Sequence, residues 1–155
     1  MSTLFIQHQI SVINDILHNI DINKTDIIFT ASQSNILPYD NMYLPSISMF
    51  SESFLLGINP DALILNVSLE DELDYIDRTI HFTEAVSQAK IIVVDIFPFK
   101  TNILTGELYM TMESNEIASK LEALSDRYPN ILITSSIIYG CEEIYNVIVD
   151  YLAEE

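Results

Sequence analysis

The sequence predicts an α/β protein, a three-layer α-β-α sandwich around a mainly parallel four-stranded sheet. Three observations lead to this fold. Four short apolar runs, rich in isoleucine, leucine and valine, are typical of strands buried on both faces. Amphipathic stretches with helical spacing separate the runs. Each run also ends in polar residues, as expected where parallel strands reach the carboxyl edge of a sheet.

The chain is expected to form a single domain over residues 1–155. This length is sufficient to bury a sizeable core, and apolar residues make up 49% of the sequence. No internal repeat and no linker-like segment divides the chain. The composition therefore excludes a disordered or low-complexity protein.

The first third of the chain predicts a helix, a strand and a long loop. Apolar residues recur with helical spacing over residues 4–20, which predicts an amphipathic helix. Residues 26–30 (DIIFT) are short, apolar and partly β-branched, and they predict the first strand. The loop that follows, residues 31–48, contains Pro38 and Pro45. Because proline lacks an amide hydrogen and disfavours helix before it, this loop cannot be helical throughout.

The middle of the chain predicts two helices and two strands. Residues 49–57 predict a short helix that ends at Gly57, since a left-handed residue often closes a helix. Residues 61–68 (DALILNVS) predict the second strand. Residues 69–89 predict a long helix, whose acidic first turn suits the positive end of the helix dipole. Residues 90–99 (KIIVVDIFPF) predict the third strand.

The last third predicts the remaining strand between two helices. A loop is predicted over residues 100–111, a helix over 113–128, the fourth strand over 130–140 (NILITSSIIYG) and an amphipathic helix over 141–155. Strands and helices thus alternate, which implies parallel pairing and right-handed crossovers.

The charge balance is strongly acidic, with 23 aspartates and glutamates against 6 lysines and arginines and a formal net charge of -17. Such a surface repels nucleic acid and anionic membranes, so neither is expected as a partner. The acidity either serves solubility alone or attracts a basic protein or peptide. No apolar stretch is long enough to span a membrane, and the first ten residues lack the features of a signal peptide. A cytoplasmic location is therefore expected.

Several kinds of chemistry are excluded by what the sequence lacks. The chain has only 3 glycines, so neither a Walker A loop nor a dinucleotide-binding fingerprint can be present, and no cofactor is expected. Cys141 is the single cysteine, which excludes an internal disulfide and a multi-thiolate metal site. His8, His18 and His81 lie on different predicted helices without metal-ligand spacing. No metal site is therefore expected.

Polar and aromatic side chains at the ends of the predicted strands are the candidate ligand-binding residues. Hydroxyls, amides and carboxylates collect there, and aromatic rings supply an apolar wall, as in pockets for small molecules or peptides. The predicted set is Thr30, Ser32, Gln33, Ser34, Asn35, Tyr39, Asn66, Ser68, Asp71, Asp95 and Phe97.

No residue is identified as catalytic by its sequence context. Serines at the first and fourth strand ends are candidate nucleophiles, but a serine nucleophile needs an adjacent base, and no histidine is predicted at a strand end. The nucleophile-elbow spacing is also missing. Asp71 and Asp95 are the candidate bases, because burial can raise the pKa of a carboxyl group. The more ordinary interpretation is that these serines hydrogen-bond the backbone or a ligand.

Three stretches of the sequence resemble the C-terminal part of the peptide maturation system protein family, over residues 20–151. They are DIIFTASQSNILPYDN, FLLGINPDALILNVSLEDELDYIDRTIHF and AKIIVVDIFPF. The matching positions are Ser32, Gln33, Ser34, Pro38, Tyr39, Pro60, Asp61, Tyr75, Arg78 and Pro98. The resemblance implies an α/β fold and a role in the biosynthesis of ribosomally made, modified peptides.

That family is distantly similar to D-glutamate N-acetyltransferase-like proteins, whose longer members carry a P-loop-type domain. The present sequence lacks the phosphate-binding half, has Ala31 where the family has a glycine, and has Ser68 and Leu69 where the family has an asparagine and a proline. Nucleotide-dependent activity is therefore not expected unless a separate chain supplies the missing half.

Three hypotheses for function remain open at this point. The first is an accessory or binding protein of a peptide maturation system, which recognises a protein or peptide partner, possibly basic, without a catalytic centre of its own. The second is a small acyl- or amide-transfer enzyme that uses a pocket at the strand ends. The third is a homodimeric structural module that covers apolar surface by self-association.

Overall fold

The computed structural model of the protein describes residues 3–21, 25–32, 36–37, 49–102, 104–111 and 114–154. Within these residues the chain forms six helices and five strands. In chain order they are α1 (Thr3–Asp21), α2 (Met49–Ile58), β1 (Ala62–Ser68), α3 (Leu73–Ser87), β2 (Lys90–Phe97), β3 (Phe99–Thr101), β4 (Leu108–Met110), α4 (Ser114–Arg127), β5 (Leu132–Thr134), α5 (Ser136–Tyr139) and α6 (Glu142–Glu154). The mixed α/β class predicted from the sequence is confirmed.

Contacts within the chain separate it into two compact units. The first unit comprises Met1–Pro60 and His81–Gln88, and the second comprises Asp61–Ile80 and Ala89–Glu155. The single domain expected from the sequence stays a prediction.

The first unit is built on the packing of α1 against α2. Half-buried side chains of α1 recur at Ile6, Ile10, Ile13 and Leu17, which is the stripe that the sequence predicts. A Cβ atom placed on Gly57 would lie 3.0 Å from the Cβ of Ile13, so the missing side chain allows the two helices to approach closely.

The C-terminus of α2 differs from the prediction that the helix ends at Gly57. Gly57 lies inside the helix, and the left-handed residue is Asn59, with a φ of 47°. The amide of Asn59 donates to the carbonyl of Leu55 at 3.1 Å, which completes the last turn. Asparagine tolerates this conformation better than most residues, so it can take the position expected for glycine.

The core of the second unit is a parallel sheet with the strand order β1-β2-β5. Asn66 on β1 is in register with Asp95 on β2, and Asp95 is in register with Thr134 on β5. The carboxyl ends of these three strands therefore lie at one edge of the sheet, as the sequence predicts.

Two sequence predictions about the strands are wrong. Residues 25–32 contain no strand, so the sheet has three strands rather than four in the described residues, and the Phe29 side chain is 67% exposed. A short apolar run does not show whether a neighbouring strand is available to pair with it. The predicted fourth strand ends early, because Ser136 already begins α5.

Two apolar clusters hold helices against the sheet of the second unit. The first joins β2 to α3 and α4 through Val94, Ile76 and Leu124, all buried. The second joins β2 to α6 through Val93 and Ile148. Burial of side chains of this size stabilises a fold by roughly 1.5 to 3 kcal/mol each.

The segment predicted as a loop over residues 100–111 contains an antiparallel hairpin of β3 and β4. Its turn is closed by Asn102, whose Oδ1 accepts hydrogen bonds from the amides of Leu104 at 2.9 Å and Thr105 at 3.3 Å. Gly106 follows with a φ of 70°, a left-handed conformation that glycine adopts without strain. Turn chemistry therefore accounts for a hairpin that hydrophobic periodicity does not indicate.

Candidate functional site

The carboxyl end of β1 closes into a tight turn stabilised by Asp71. The backbone amide of Ser68 donates to Asp71 Oδ2 at 2.7 Å, and the amide of Asp71 donates back to the carbonyl of Ser68 at 3.2 Å. The amide of Glu70 donates to the hydroxyl of Ser68 at 3.3 Å. Aspartate and serine commonly satisfy the backbone of turns in this way.

Lys120 on α4 attaches that helix to the same turn. Its ammonium group donates to the backbone carbonyl of Asp71. Burial raises the pKa of the Asp71 carboxyl above its ordinary value of 3.8, and Glu70 adds to this, whereas the Ser68 amide and the Lys120 charge lower it. Burial likewise lowers the pKa of Lys120 below 10.5, opposed by the charge of Asp71. The turn thus holds an acid and a base whose pKa values are shifted toward each other.

The turn is also joined to the hairpin that follows β2. Glu70 Oε2 accepts from the amide of Thr101 at 3.1 Å and from its hydroxyl at 3.0 Å. The hydroxyl of Ser68 donates to the carbonyl of Phe99 at 3.3 Å. The rings of Phe97 and Phe99 are stacked, with their centroids 6.4 Å apart. These contacts fix the start of the hairpin beside the end of β1.

Asp95, near the carboxyl end of β2, is buried and attached to the segment after β5. Asp95 Oδ1 accepts from the amide of Ser136 at 2.7 Å, and Oδ2 accepts from its hydroxyl at 2.5 Å. The hydroxyl of the fully buried Ser135 donates to the carbonyl of Ile96 at 2.6 Å. Ser135 and Ser136, the candidate nucleophiles at the end of the predicted fourth strand, therefore contact the backbone of β2 and the Asp95 carboxylate.

The structure brings some of the predicted site residues together. Ser68, Asp71, Asp95 and Phe97 belong to the sheet edge of the second unit, and Asn66 is exposed on β1. Thr30 and Ser32 belong to the first unit, where both are exposed. The remaining members of the set, Gln33, Ser34, Asn35 and Tyr39, lie outside the described residues.

Ser32 lines a cavity of about 230 Å³ within the first unit. Its hydroxyl lies 3.2 Å from the hydroxyl of Ser51, and the hydroxyl of Ser53 donates to Gln9 Oε1 at 3.1 Å. Ile13 and Phe54 provide apolar walls. The cavity thus combines uncharged hydrogen-bonding groups with apolar surface, a combination suited to a small neutral molecule.

The outward side of α6 combines apolar and acidic residues. Ile144 and Ile148 are buried against the sheet, whereas Tyr145 and Val149, four residues apart, are exposed on a flank of the helix next to them. The neighbouring row of the helix surface holds further exposed residues, which are Glu142, Asn146, Asp150 and Glu154. No lysine, arginine or histidine occurs in the helix. We call Glu142, Tyr145, Val149 and Asp150 the α6 face.

Three of the residues that organise the sheet edge were not predicted as site residues. Lys120 reaches the turn only through the fold, since it is 49 positions from Asp71 in the sequence, and Glu70, within the turn, accepts from Thr101, 31 positions later. For Ser136 the sequence suggests a nucleophile or, more ordinarily, a hydrogen-bonding serine, but it does not identify Asp95 as the partner. Lys120 is the single lysine of α4, and its position in the sequence does not specify a partner.

The described residues contain no group of three or more histidine, cysteine, aspartate or glutamate side chains that could hold a metal ion. None of the described helices combines the length and apolar character needed to cross a bilayer.

No protein-family model, curated protein or solved structure matches this chain.

Proposed function

We propose that this protein is an accessory binding protein that recognises a basic protein or peptide through the α6 face, without a catalytic centre of its own. The resemblance of its sequence to peptide maturation proteins suggests the biosynthesis of modified peptides as the setting. The observation that carries the proposal is the pairing of an exposed apolar stripe with an acidic row on a helix that has no basic residue. A basic amphipathic helix would complement both features.

The distribution of charge in the second unit supports a basic partner. Three basic side chains of this unit lie against carboxylates, in the pairs Arg78 with Asp74, Lys100 with Glu116 and Arg127 with Asp77. These cations are therefore partly neutralised within the protein. With a net charge of -17, the chain attracts cationic partners at a rate that salt should reduce.

The roles of the strand-end carboxylates also support binding rather than catalysis. Asp95 uses both oxygens to hold Ser136, and Asp71 uses one oxygen to hold the amide of Ser68. Groups that are engaged in this way stabilise the connections between strands and helices. They are less available to take a proton from a substrate.

Affinity capture with matched variants tests the proposal. The wild-type protein should retain a basic partner at low salt and release it at high salt. Glu142→Lys/Asp150→Lys should abolish capture, whereas Glu122→Lys/Asp126→Lys, an equal change of charge at exposed positions of α4, should weaken it much less. Equal loss in both variants would mean that net charge, and not the α6 face, selects the partner.

One observation favours a second candidate, the acyl- or amide-transfer enzyme. The opposite pKa shifts of Asp71 and Lys120 resemble those of acid-base groups in active sites. A screen of acyl and amide substrates would support this candidate if the wild-type protein shows turnover that Lys120→Met loses while remaining folded. Activity that survives in Lys120→Met would exclude this pair from the chemistry.

We also propose that the second unit has three layers, with α3 and α4 on one side of the sheet and α6 on the other. The support is the distribution of β2 side chains, since Ile91, Val94 and Ile96 belong to one apolar cluster and Ile92 and Val93 to the other. Ile92 and Val93 are adjacent in β2, and adjacent side chains of a regular strand point to opposite faces. The shift in the β1–β2 register between Leu63 and Ile64 accounts for the presence of both in the second cluster. An experimental structure with all three helices on one side would contradict this proposal.

A further inference from the structure

The outer edge of β4 presents backbone groups at the spacing of a β-strand. The backbone amide of Asn102 donates to the carbonyl of Glu107, and the amide of Thr111 donates to the carbonyl of Pro98, both at 2.8 Å. These two bonds determine which residue pairs of the hairpin are hydrogen-bonded to each other. Bonded and non-bonded pairs alternate in an antiparallel ladder. The N–H and C=O groups of Leu108 and Met110 therefore point away from β3, and they make no backbone hydrogen bond to another described residue.

The side chains of β4 are exposed on both faces of the hairpin. The exposed fractions are 72% for Leu108, 49% for Tyr109 and 42% for Met110. A strand with apolar side chains and an open edge is a template for pairing with another chain. A two-stranded hairpin is also only marginally stable in water, and a third strand would reinforce it.

We propose that β4 binds an extended segment of another polypeptide as a third strand, and that this segment carries basic and apolar residues in alternation. The N–H and C=O groups of Leu108 and Met110 supply the main-chain hydrogen bonds. The apolar side chains of the incoming strand pack beside those of β4. This surface is separate from the α6 face, so the inference goes beyond the proposed function and does not depend on it.

The net charge of the chain favours a segment of a different protein over a second copy of this chain as the strand that pairs with β4. Two copies carry -17 each, and their mutual repulsion opposes the pairing of one β4 with another. The strand itself has no charged residue, and Glu107 stands immediately before it. A segment with lysine or arginine near its end complements that carboxylate, so we assign the edge to a basic partner.

The probe for this inference is a capped synthetic peptide of alternating valine and lysine, about eight residues long, which matches a typical strand. NMR hydrogen exchange on the wild-type protein should show rapid exchange of the amides of Leu108 and Met110 and slower exchange of Tyr109. Addition of the peptide should slow exchange at Leu108 and Met110. Unchanged exchange at these two amides would overturn the proposal.

Two substitutions at Met110 distinguish the contribution of its backbone N–H to peptide binding from that of its side chain. Met110→Pro removes the outward N–H without removing a hydrogen bond to β3, and proline is tolerated at strand edges. It should weaken binding of the peptide about tenfold, as expected for the loss of a main-chain hydrogen bond. Met110→Val keeps the N–H and should bind like the wild-type protein. Equal affinity of both variants would contradict strand addition.

Peptides methylated on their backbone nitrogens keep the test decisive if Met110→Pro fails to fold. Methylation of the edge that faces β4 should abolish binding to the wild-type protein, and methylation of the opposite edge should not. Concentration-dependent protection of Leu108 and Met110 without peptide would identify a second copy as the occupant and would overturn the proposal. Because Glu142→Lys/Asp150→Lys leaves β4 intact, retained peptide binding by that variant distinguishes this inference from the proposed function.

Discussion

Both carboxylate oxygens of Asp95 accept hydrogen bonds from Ser136, which lies 41 positions later in the chain. The contact joins the central strand of the parallel sheet to the helix that follows β5. Asp95 is 5% exposed, so the bonds form in surroundings where an unsatisfied polar group is costly. A residue expected at a ligand site therefore stabilises the carboxyl edge of the sheet from within.

Removal of the Asp95 carboxylate should destabilise the protein substantially. Asp95→Ala leaves the amide and hydroxyl of Ser136 without their acceptor, and the expected decrease in the free energy of unfolding is about 3 kcal/mol. Urea denaturation measures the change. Asn66→Ala is the matched control, since Asn66 is the exposed residue in register with Asp95, and its effect should stay within about 0.5 kcal/mol. Equal effects of the two substitutions would show that the Ser136 contacts contribute little.

The shifted pKa of Asp71 should make stability depend on pH. Because burial raises this pKa above 3.8, the folded state holds the proton more tightly than the unfolded chain does. The contribution of Asp71 to the free energy of unfolding is thus complete below pH 3.8 and is lost as the pH rises through the folded-state value. Asp71→Asn lacks this titration. The stability of the wild-type protein relative to the variant should therefore fall across that range, and a constant difference would contradict the assignment.

The charge of Lys120 should contribute to the pKa of Asp71. The ammonium charge of Lys120 lowers that pKa, so Lys120→Met should raise it further, and carbon-13 NMR of the carboxyl groups measures the shift. Lys100→Met is the control, because Lys100 pairs with Glu116. The control should leave the Asp71 titration unchanged. A titration unaffected by Lys120→Met would mean that the two side chains do not interact in solution.

Gly57→Ala should destabilise the packing of α1 against α2. Alanine favours a helix by about 1 kcal/mol over glycine, but its Cβ would lie 3.0 to 3.2 Å from three atoms of Ile13. Overpacking of this kind costs about 1 to 3 kcal/mol, so we expect a net loss of about 1 kcal/mol.

A double-mutant cycle with Ile13→Ala identifies the cause of that loss. If the Cβ of residue 57 clashes with Ile13, the two substitutions together should cost less than the sum of their separate effects. Additive effects in thermal unfolding would place the cost of Gly57→Ala elsewhere.

Much of the second unit could be predicted from the sequence because its signals are local and consistent. The continuous apolar run of β2 and the amphipathic spacing of α3, α4 and α6 each indicate one structure only. The prediction of a strand at residues 26–30 was wrong because a strand needs a second segment to pair with, and an apolar run alone does not show whether one is available. The hairpin was missed because its evidence is the turn at Asn102 and Gly106 and not an apolar pattern.

The candidate site was harder to predict because its contacts are distant in sequence. Polar strand ends correctly indicated that Ser68, Asp71 and Asp95 collect at one edge of the sheet. The residues that engage them, Lys120 and Ser136, could not be identified without knowing which helix packs beside which strand. The sequence therefore indicated where polar groups gather, and the structure indicates that two of the carboxylates are already bound within the protein.

The most direct test of the proposed function is the salt dependence of binding between the α6 face and a basic amphipathic helix. Fluorescence anisotropy with a labelled synthetic peptide of leucine and lysine in helical spacing measures the affinity at about 0.05 M and about 0.5 M NaCl. We predict that binding to the wild-type protein weakens at least about tenfold over this range, and that Glu142→Lys/Asp150→Lys abolishes it at low salt while Glu122→Lys/Asp126→Lys retains it. Equal binding by both variants, or affinity independent of salt, would contradict recognition through this face.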